Sequence, residues 1–346
     1  MYSYPFSVEI ARLTIILGIV VSVMIYKRTG MTMGGILIPG YLALFVTQPL
    51  HILVTLIIAT LAYLIVHNWI KKAYMLNGRR LFEVEILVAL ILQILWSALL
   101  TVLGAKYTVL GSLYGIGFVI PGLITHEIGR QGLSRTLSTT ILGTLIVFMV
   151  VTPLAAIERA LPDSWTAYNL SPIMRTQSYT YAYPISLLPI GIVISVMVDM
   201  IIFRKMKIRP GGFVTAAYMA LFALRPLDIL FVLGATLITY LFINILANNF
   251  LLVFGRVRFG LIILSAGGIS SVMEIIAANV SNGQFVPWSG FVVIMPMLVA
   301  LLTNSFDQQG IPKSLGSLVM NSAIVWGIMA LVVLILTKLD LIMYFA

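Results

Sequence analysis

Eight long apolar stretches run through the chain, at 7–26, 49–70, 82–104, 135–157, 185–203, 226–250, 259–281 and 314–337. A helix needs roughly 20 apolar residues to cross a hydrocarbon layer about 30 Å thick. It also satisfies its own backbone polar groups in lipid, as an open strand cannot. Composition points the same way. Of 346 residues, 61% are apolar and 9% charged, whereas soluble domains carry roughly 25% charged residues. A water-soluble fold of this size could not cover so much apolar side chain. A soluble enzyme, a nucleic-acid binder and a disordered chain are thereby excluded, and the chain reads as an all-α polytopic membrane protein.

Four further apolar stretches, 31–47, 107–125, 210–225 and 286–303, are shorter and broken by Gly or Pro. They either cross the layer or dip in and return, and charge separates the two cases. If all four cross, one side holds 15 cations: Lys27, Arg28, Lys71, Lys72, Arg79, Arg80, Arg130, Arg135, Arg204, Lys205, Lys207, Arg209, Arg256, Arg258 and Lys313. The other side keeps 6, namely Arg12, Lys106, Arg159, Arg175, Arg225 and Lys338. If all four are re-entrant the split is 11 to 10. Cationic loops stay cytoplasmic during insertion, so the asymmetric solution is preferred. It gives about 12 transmembrane segments, with both termini extracytoplasmic. The same rule accounts for the net charge of +10. The first stretch lacks a basic segment before it and reads as a retained span. Cysteine is absent, which removes disulfides, thiolate metal sites and a cysteine nucleophile.

The chain repeats itself at an offset of 177 residues. GGILIPGYLALFVTQPLHIL from Gly34 matches GGFVTAAYMALFALRPLDIL from Gly211, and NGRRLF at 77–82 matches FGRVRF at 254–259. GFVIPGLITHEIGRQGL at 117–133 matches GFVVIMPMLVALLTNSFDQQGI at 290–311 after a small insertion. The expected organisation is two tandem six-segment repeats, 1–157 and a diverged 185–346, joined by an extracytoplasmic linker at 158–184. Within the first repeat, Pro39-Gly40 is echoed by Pro121-Gly122 three crossings later, hence inverted. Inverted repeats with interrupted helices are a common transporter layout.

Candidate functional residues fall into three groups. At Pro39, Gly40, Pro121 and Gly122, Pro removes a donor and Gly permits a sharp bend. The polar groups freed must be satisfied by protein or by a water-lined route, so a packing kink and a polar path both fit. The stretch His126-Glu127-Ile128-Gly129-Arg130-Gln131, with Arg135 beyond it, and the loop carrying Lys71, Lys72, Arg79 and Arg80 gather on the cationic side. Guanidinium groups suit carboxylates and phosphates, so these residues fit an anionic substrate or partner, or lipid headgroups. Asp199 and Glu274 lie in apolar spans, where acids mark function by default. Both stand nearer a span end than its middle, which leaves an ion relay and a hydrated position open. Tyr26, Trp69, Tyr74, Trp165 and Trp288 read as interfacial aromatics. No ATP-binding loop, serine-hydrolase elbow or metal-ligand spacing is present.

The run KRTGMTMGGILIPGYLALFVTQPLHIL (27–53), then NGRR (77–80), then GFVIPGLITHEIGRQGL (117–133) resembles the PgsC/CapC family. That family is the membrane subunit of bacterial poly-γ-glutamate capsule synthesis. The resemblance covers about residues 5–155, and this chain carries a second, diverged copy in which Ala216-Ala217 replaces Pro39-Gly40, Val257 replaces Arg80, and His126-Glu127 falls on Leu301-Leu302. It implies an accessory subunit, not catalytic alone, that docks a cytoplasmic ATP-dependent amide ligase (a Mur-ligase-like PgsB/CapB type) and helps pass the polyanion across the membrane. An extracytoplasmic PgsA/CapA-type subunit is a further implied partner. No cofactor is expected on this chain; ATP and a divalent metal belong to the ligase. Arg79, Arg80, His126, Glu127, Arg130, Gln131 and Arg135 would contact polymer or ligase, and Pro39, Gly40, Pro121 and Gly122 would shape the path. The alternative is a stand-alone secondary transporter for a small anion.

Overall fold

The computed structural model describes residues 6–104, 115–160, 180–208, 212–249, 255–288, 291 and 293–338. Among the described residues every regular element is helical. Among those residues, eight helices are long and apolar enough to cross a membrane: Ile10–Thr29, Pro49–Tyr74, Gly78–Thr101, Leu133–Glu158, Ile185–Met206, Pro226–Leu246, Gly255–Val280 and Ile311–Lys338. They coincide with the eight long apolar stretches. The chain divides into two compact units, Met1–Ala167 and Tyr168–Ala346. Residues 161–179 of the 158–184 stretch, with Trp165 and Arg175, lie outside the described residues, as do Lys106 and the start of 107–125.

In the first unit, α1 (Val8–Thr29) opens on Ser7, whose Oγ accepts the Ile10 N–H and donates to Glu158 Oε1 at 2.6 Å. It closes on Gly30 with Lys27 and Arg28 in the last turn, where cations complement the helix dipole. An irregular stretch follows, with Gly34 at φ +71° and Gly35 at φ +135°, a region that suits glycine. Then α2 (Ile38–Ala43) begins with Pro39 in its first turn, where a missing N–H leaves no hydrogen bond unmade. Six residues rise only about 9 Å, so α2 by itself cannot cross a bilayer. Next come α3 (Pro49–Ile65), a π-helical turn at Val66–Ile70, α4 (Lys71–Tyr74) and α5 (Gly78–Gly104). The irregular residues 115–119 lead into α6 (Ile120–Gln131), again with Pro in the first turn, and α7 (Leu133–Ala160) completes the unit.

The two short helices have matching surroundings. α2 packs on α1 and α7, while α6 packs on α5 and α3. Each meets the preceding long helix almost backbone to backbone. A Cβ on Gly40 would stand 2.9 Å from Ile15 Cα, and one on Gly122 would stand 2.8 Å from Ile86 Cα. Irregular backbone inside an apolar bundle needs partners, and side chains provide them. The Thr32 carbonyl accepts from Gln131 Nε2 (2.5 Å) and Thr139 Oγ1 (3.0 Å). At the second break the Ile116 N–H donates to Thr55 Oγ1 at 2.7 Å, and the Gly117 carbonyl accepts from Gln93 Nε2 at 2.9 Å.

The second unit has the same order: α8 (Leu188–Met206), α9 (Phe213–Leu221), α10 (Pro226–Asn249), α11 (Gly255–Val280), α12 (Met295–Gln309) and α13 (Ile311–Lys338). Here α9 packs on α8 and α13, and α12 packs on α11 and α10. Its polar centre differs. Asp228 Oδ1 accepts the Trp288 N–H at 2.8 Å, Trp288 Nε1 donates to the Asp228 carbonyl at 2.8 Å, and Arg225 Nε lies 2.6 Å from Asp228 Oδ2. Trp288 is fully buried and stacked on Phe222 with ring centres 3.9 Å apart. The interfacial reading of Trp288 is therefore corrected, because its indole N–H is held by a buried carbonyl. Trp69 and Tyr74 are exposed. Asp199 and Glu274 are both fully buried.

The close helix approaches set an expectation for stability. Gly122→Ala forces a methyl against α5 and lowers stability by about 1–3 kcal/mol. Gly268→Ala, in open space on α11, raises it by roughly 0.5–1 kcal/mol through backbone entropy. Thermal unfolding of the detergent-solubilised variants reads both signs.

Candidate functional site

Helices α1, α3–α4 and α6 end where α5 and α7 begin, so Lys27, Arg28, Lys71, Lys72, Arg79, Arg80, Arg130 and Arg135 collect at one basic end of the first unit. Long-range hydrogen bonds hold that end together. Gln131 clamps the backbone of Thr32, its Oε1 accepting the Thr32 N–H at 3.0 Å while its Nε2 donates to the Thr32 carbonyl at 2.5 Å. The Thr32 hydroxyl donates to Glu127 Oε2 at 2.5 Å, and Thr136 Oγ1 donates to the Glu127 carbonyl at 3.3 Å.

Three acids, Glu83, Glu85 and Glu127, are buried under the basic rim. Arg79 Nε donates to Glu83 Oε1 at 2.5 Å one helical turn away. Glu127 Oε1 lies 3.6 Å from Arg130 Nη1. Glu85 stands between two imidazoles, with His67 Nε2 2.9 Å from its Oε1 and His126 Nδ1 2.6 Å from its Oε2. Phe82 meets the His126 ring edge-on, and the Tyr63 ring lies 4.5 Å from that of His67.

The residues singled out in the sequence thus separate by direction. Arg79, His126, Glu127 and Gln131 engage protein groups at the base of the site, whereas Arg80, Arg130 and Arg135 are exposed on its rim. Arg130 couples the two sets, since its side chain is 52% exposed yet leans on Glu127. Pro39, Gly40, Pro121 and Gly122 are buried, and the glycines face α1 and α5. Sequence reasoning missed Thr32, His67, Glu83 and Glu85. Two of them carried a signal, because Phe82-Glu83-Val84-Glu85 places two acids at the start of an apolar span. Among the described residues, no group of three or more His, Cys, Asp or Glu side chains is disposed to hold a metal ion.

The second unit lacks this chemistry. α6 and α12 both end on a glycine, Gly132 and Gly310. Counted back from those caps, His126, Glu127 and Arg130 correspond to Asn304, Ser305 and Gln308. Counted forward from the helix starts, His126-Glu127 falls on Leu301-Leu302; the two counts differ because α12 is 15 residues long against 12 in α6. At the 177-residue offset His67 and Glu85 correspond to Asn244 and Ile262. Ser305 Oγ donates to Ser314 Oγ at 3.0 Å, and Arg258 pairs with Asp307 at 2.6 Å.

Comparison with known proteins places this geometry in context. The profile of the family described as Capsule biosynthesis CapC matches residues 17–137 and 190–315. Over 139 residues the chain is 35% identical to the Bacillus anthracis protein named Capsule biosynthesis protein CapC, covering 40% of this chain and 91% of that one. It is 32% identical over 139 residues to the PGA biosynthesis protein CapC of Bacillus subtilis (strain 168), with the same coverage. No solved structure matches the chain.

Because Gln131 holds both backbone groups of Thr32 while Thr139 Oγ1 shares only the carbonyl, Gln131→Ala orphans the buried N–H. The expected loss is about 1–3 kcal/mol, read as a lower unfolding temperature. Gln308→Ala, at an exposed position where the amide bonds Asn304 of its own helix at 3.3 Å, leaves the temperature nearly unchanged.

Proposed function

Since the chain belongs to the CapC family of capsule biosynthesis, we propose that it is the integral-membrane subunit of a poly-γ-glutamate-type polymer synthesis and export complex. In this reading it lies in a bacterial cytoplasmic membrane, crosses it 12 times as two tandem repeats (1–157 and 185–346, joined by 158–184), and keeps both termini outside. The shared element order and shared packing of the two units support the duplication. The return of 31–43 along α1, between a basic end and the α2–α3 turn, supports six traverses in the first unit.

The observation that carries the contact role is the exposed rim of Arg80, Arg130 and Arg135 above buried acids that fix its base. Cations held on a rigid frame attract and orient a polyanion or an acidic partner surface. The rim receives a cytoplasmic Mur-ligase-like subunit, which carries the ATP and divalent metal, and the acidic chain it makes. An extracytoplasmic PgsA/CapA-type subunit meets the product on the far side. This chain contributes no catalytic group and no cofactor. Pro39, Gly40, Pro121 and Gly122 set where the short helices start, and so the shape of the route.

A second reading, a stand-alone secondary transporter for a small anion, is favoured by the matched surroundings of α2 and α6. It predicts coupled anion flux by the purified protein in liposomes with no ligase present.

A deletion strain should lose surface anionic polymer, and normal display without this chain would overturn the proposal. Replacing Arg80 and Arg135 together by Ala removes contacts worth about 1–2 kcal/mol. Ligase capture in a pull-down should fall by a factor of roughly 5–30, while the unfolding temperature holds because both side chains are exposed.

A further inference from the structure

We propose that His67, Glu85 and His126 form a shared proton-binding site that fastens α6 to α3 and α5. The proposal stands on side-chain geometry alone and does not depend on the polymer-export reading.

Glu85 is fully buried, with 1% of its side chain exposed, while the imidazoles of His67 and His126 are 12% and 27% exposed. Both carboxylate oxygens are taken, one by each ring. A buried carboxylate needs either an opposite charge or a proton. The cations nearby are engaged elsewhere or turned to solvent. On α5, Arg79 pairs with Glu83 and Arg80 is exposed; on α6, Arg130 leans on Glu127. On α4, Lys72 is exposed and Lys71 partly so; on α7, Arg135 is exposed. Tyr63 of α3 presents its ring to His67. The groups that touch Glu85 are therefore two imidazoles, side chains that can change charge near neutral pH.

A neutral imidazole can donate one N–H to the carboxylate, from Nε2 on His67 and from Nδ1 on His126, giving the trio a net charge of −1. A proton taken from water onto His126 Nε2 or His67 Nδ1 makes it neutral without breaking either hydrogen bond. A second makes it +1. The more exposed ring of His126 is the entry, and Glu85 joins it to His67.

Two further features accommodate this site. The helix after α3 widens into a π-helical turn at Val66–Ile70, which carries His67; such turns recur at functional positions. On α6, a Cβ at Gly129 would lie 2.5 Å from His67 Nε2 and 3.3 Å from Glu85 Oε1, so a methyl there would push the His67 ring aside. Their counterparts in the second unit, Asn244, Ile262 and Asn304, cannot hold a proton this way.

The chain contains 3 histidines, so ring-labelled histidine gives three resolvable NMR signals from the full protein in lipid nanodiscs, with His51 as internal reference. Across pH 5–8 the His67 and His126 signals should each follow a two-step curve, since each ring senses the other's proton. Glu85→Gln and His126→Asn should each reduce the His67 curve to a single step. Gly129→Ala, which removes no titrating group, should do the same by displacing the His67 ring. Hydrogen exchange of 120–131, corrected for intrinsic rates, should change over the same pH interval in the parent and be flat in Glu85→Gln. If the His67 curve is identical in the parent and in all three variants, no proton is shared and the proposal fails. Should Glu85→Gln not fold, His126→Asn, which keeps the Glu85–His67 pair, decides the matter.

Discussion

Irregular backbone inside an apolar bundle is tolerated only where each freed N–H and C=O finds a partner, and this fold depends on four side chains that supply them. Gln131 and Thr139 hold the carbonyl of Thr32, Thr55 takes the N–H of Ile116, and Gln93 holds the carbonyl of Gly117. An orphaned group at any of these places costs about 1–3 kcal/mol, a large fraction of a domain's net stability. Once the breaks are fixed, the short helices have determined starting points, and Pro39 and Pro121 begin them at no cost in hydrogen bonds. The position of α6 then brings His126, Glu127 and Arg130 to the ends of α3 and α5. The basic end is a consequence of how the breaks are satisfied.

The second unit solves the same problem with different residues. Ser195 Oγ donates to the Phe213 carbonyl at 2.7 Å beside α9, and Asp228 with Trp288 pins the approach to α12. Aromatic stacking and the buried carboxylate of Asp228 replace the glutamine clamp. Glu83 and Glu85 of the first unit correspond to Gly260 and Ile262, so the buried acids under the rim have no equivalents there. Similar packing with divergent chemistry is what a scaffold copy and a working copy of one fold would look like.

Much of the architecture was legible because it rests on local signals. The long spans follow from apolar length, the starts of α2, α3, α6 and α12 from Pro, and the ends of α1, α6 and α12 from Gly. The exposed cations Arg80, Arg130 and Arg135 followed from loop charge. What escaped notice depends on distance in the chain: Glu85 meets partners 18 and 41 residues away, and Thr32 meets Gln131 across 99 residues. Nothing local to His67 announces a π-helical turn. Trp288 was misread for the same reason, since a tryptophan near a span end looks interfacial until Asp228, 60 residues earlier, is seen to hold it.

The central claim is that the broken stretches carry the chain from one face of the membrane to the other, leaving the cationic turns on a single side. The chain has no cysteine, so single cysteines placed at Gln48, in the turn after α2, and at Ser134, at the start of α7, can be labelled one at a time. An impermeant maleimide should modify position 48 in intact cells and position 134 only in inverted vesicles. Labelling of both positions from the same side would contradict the account.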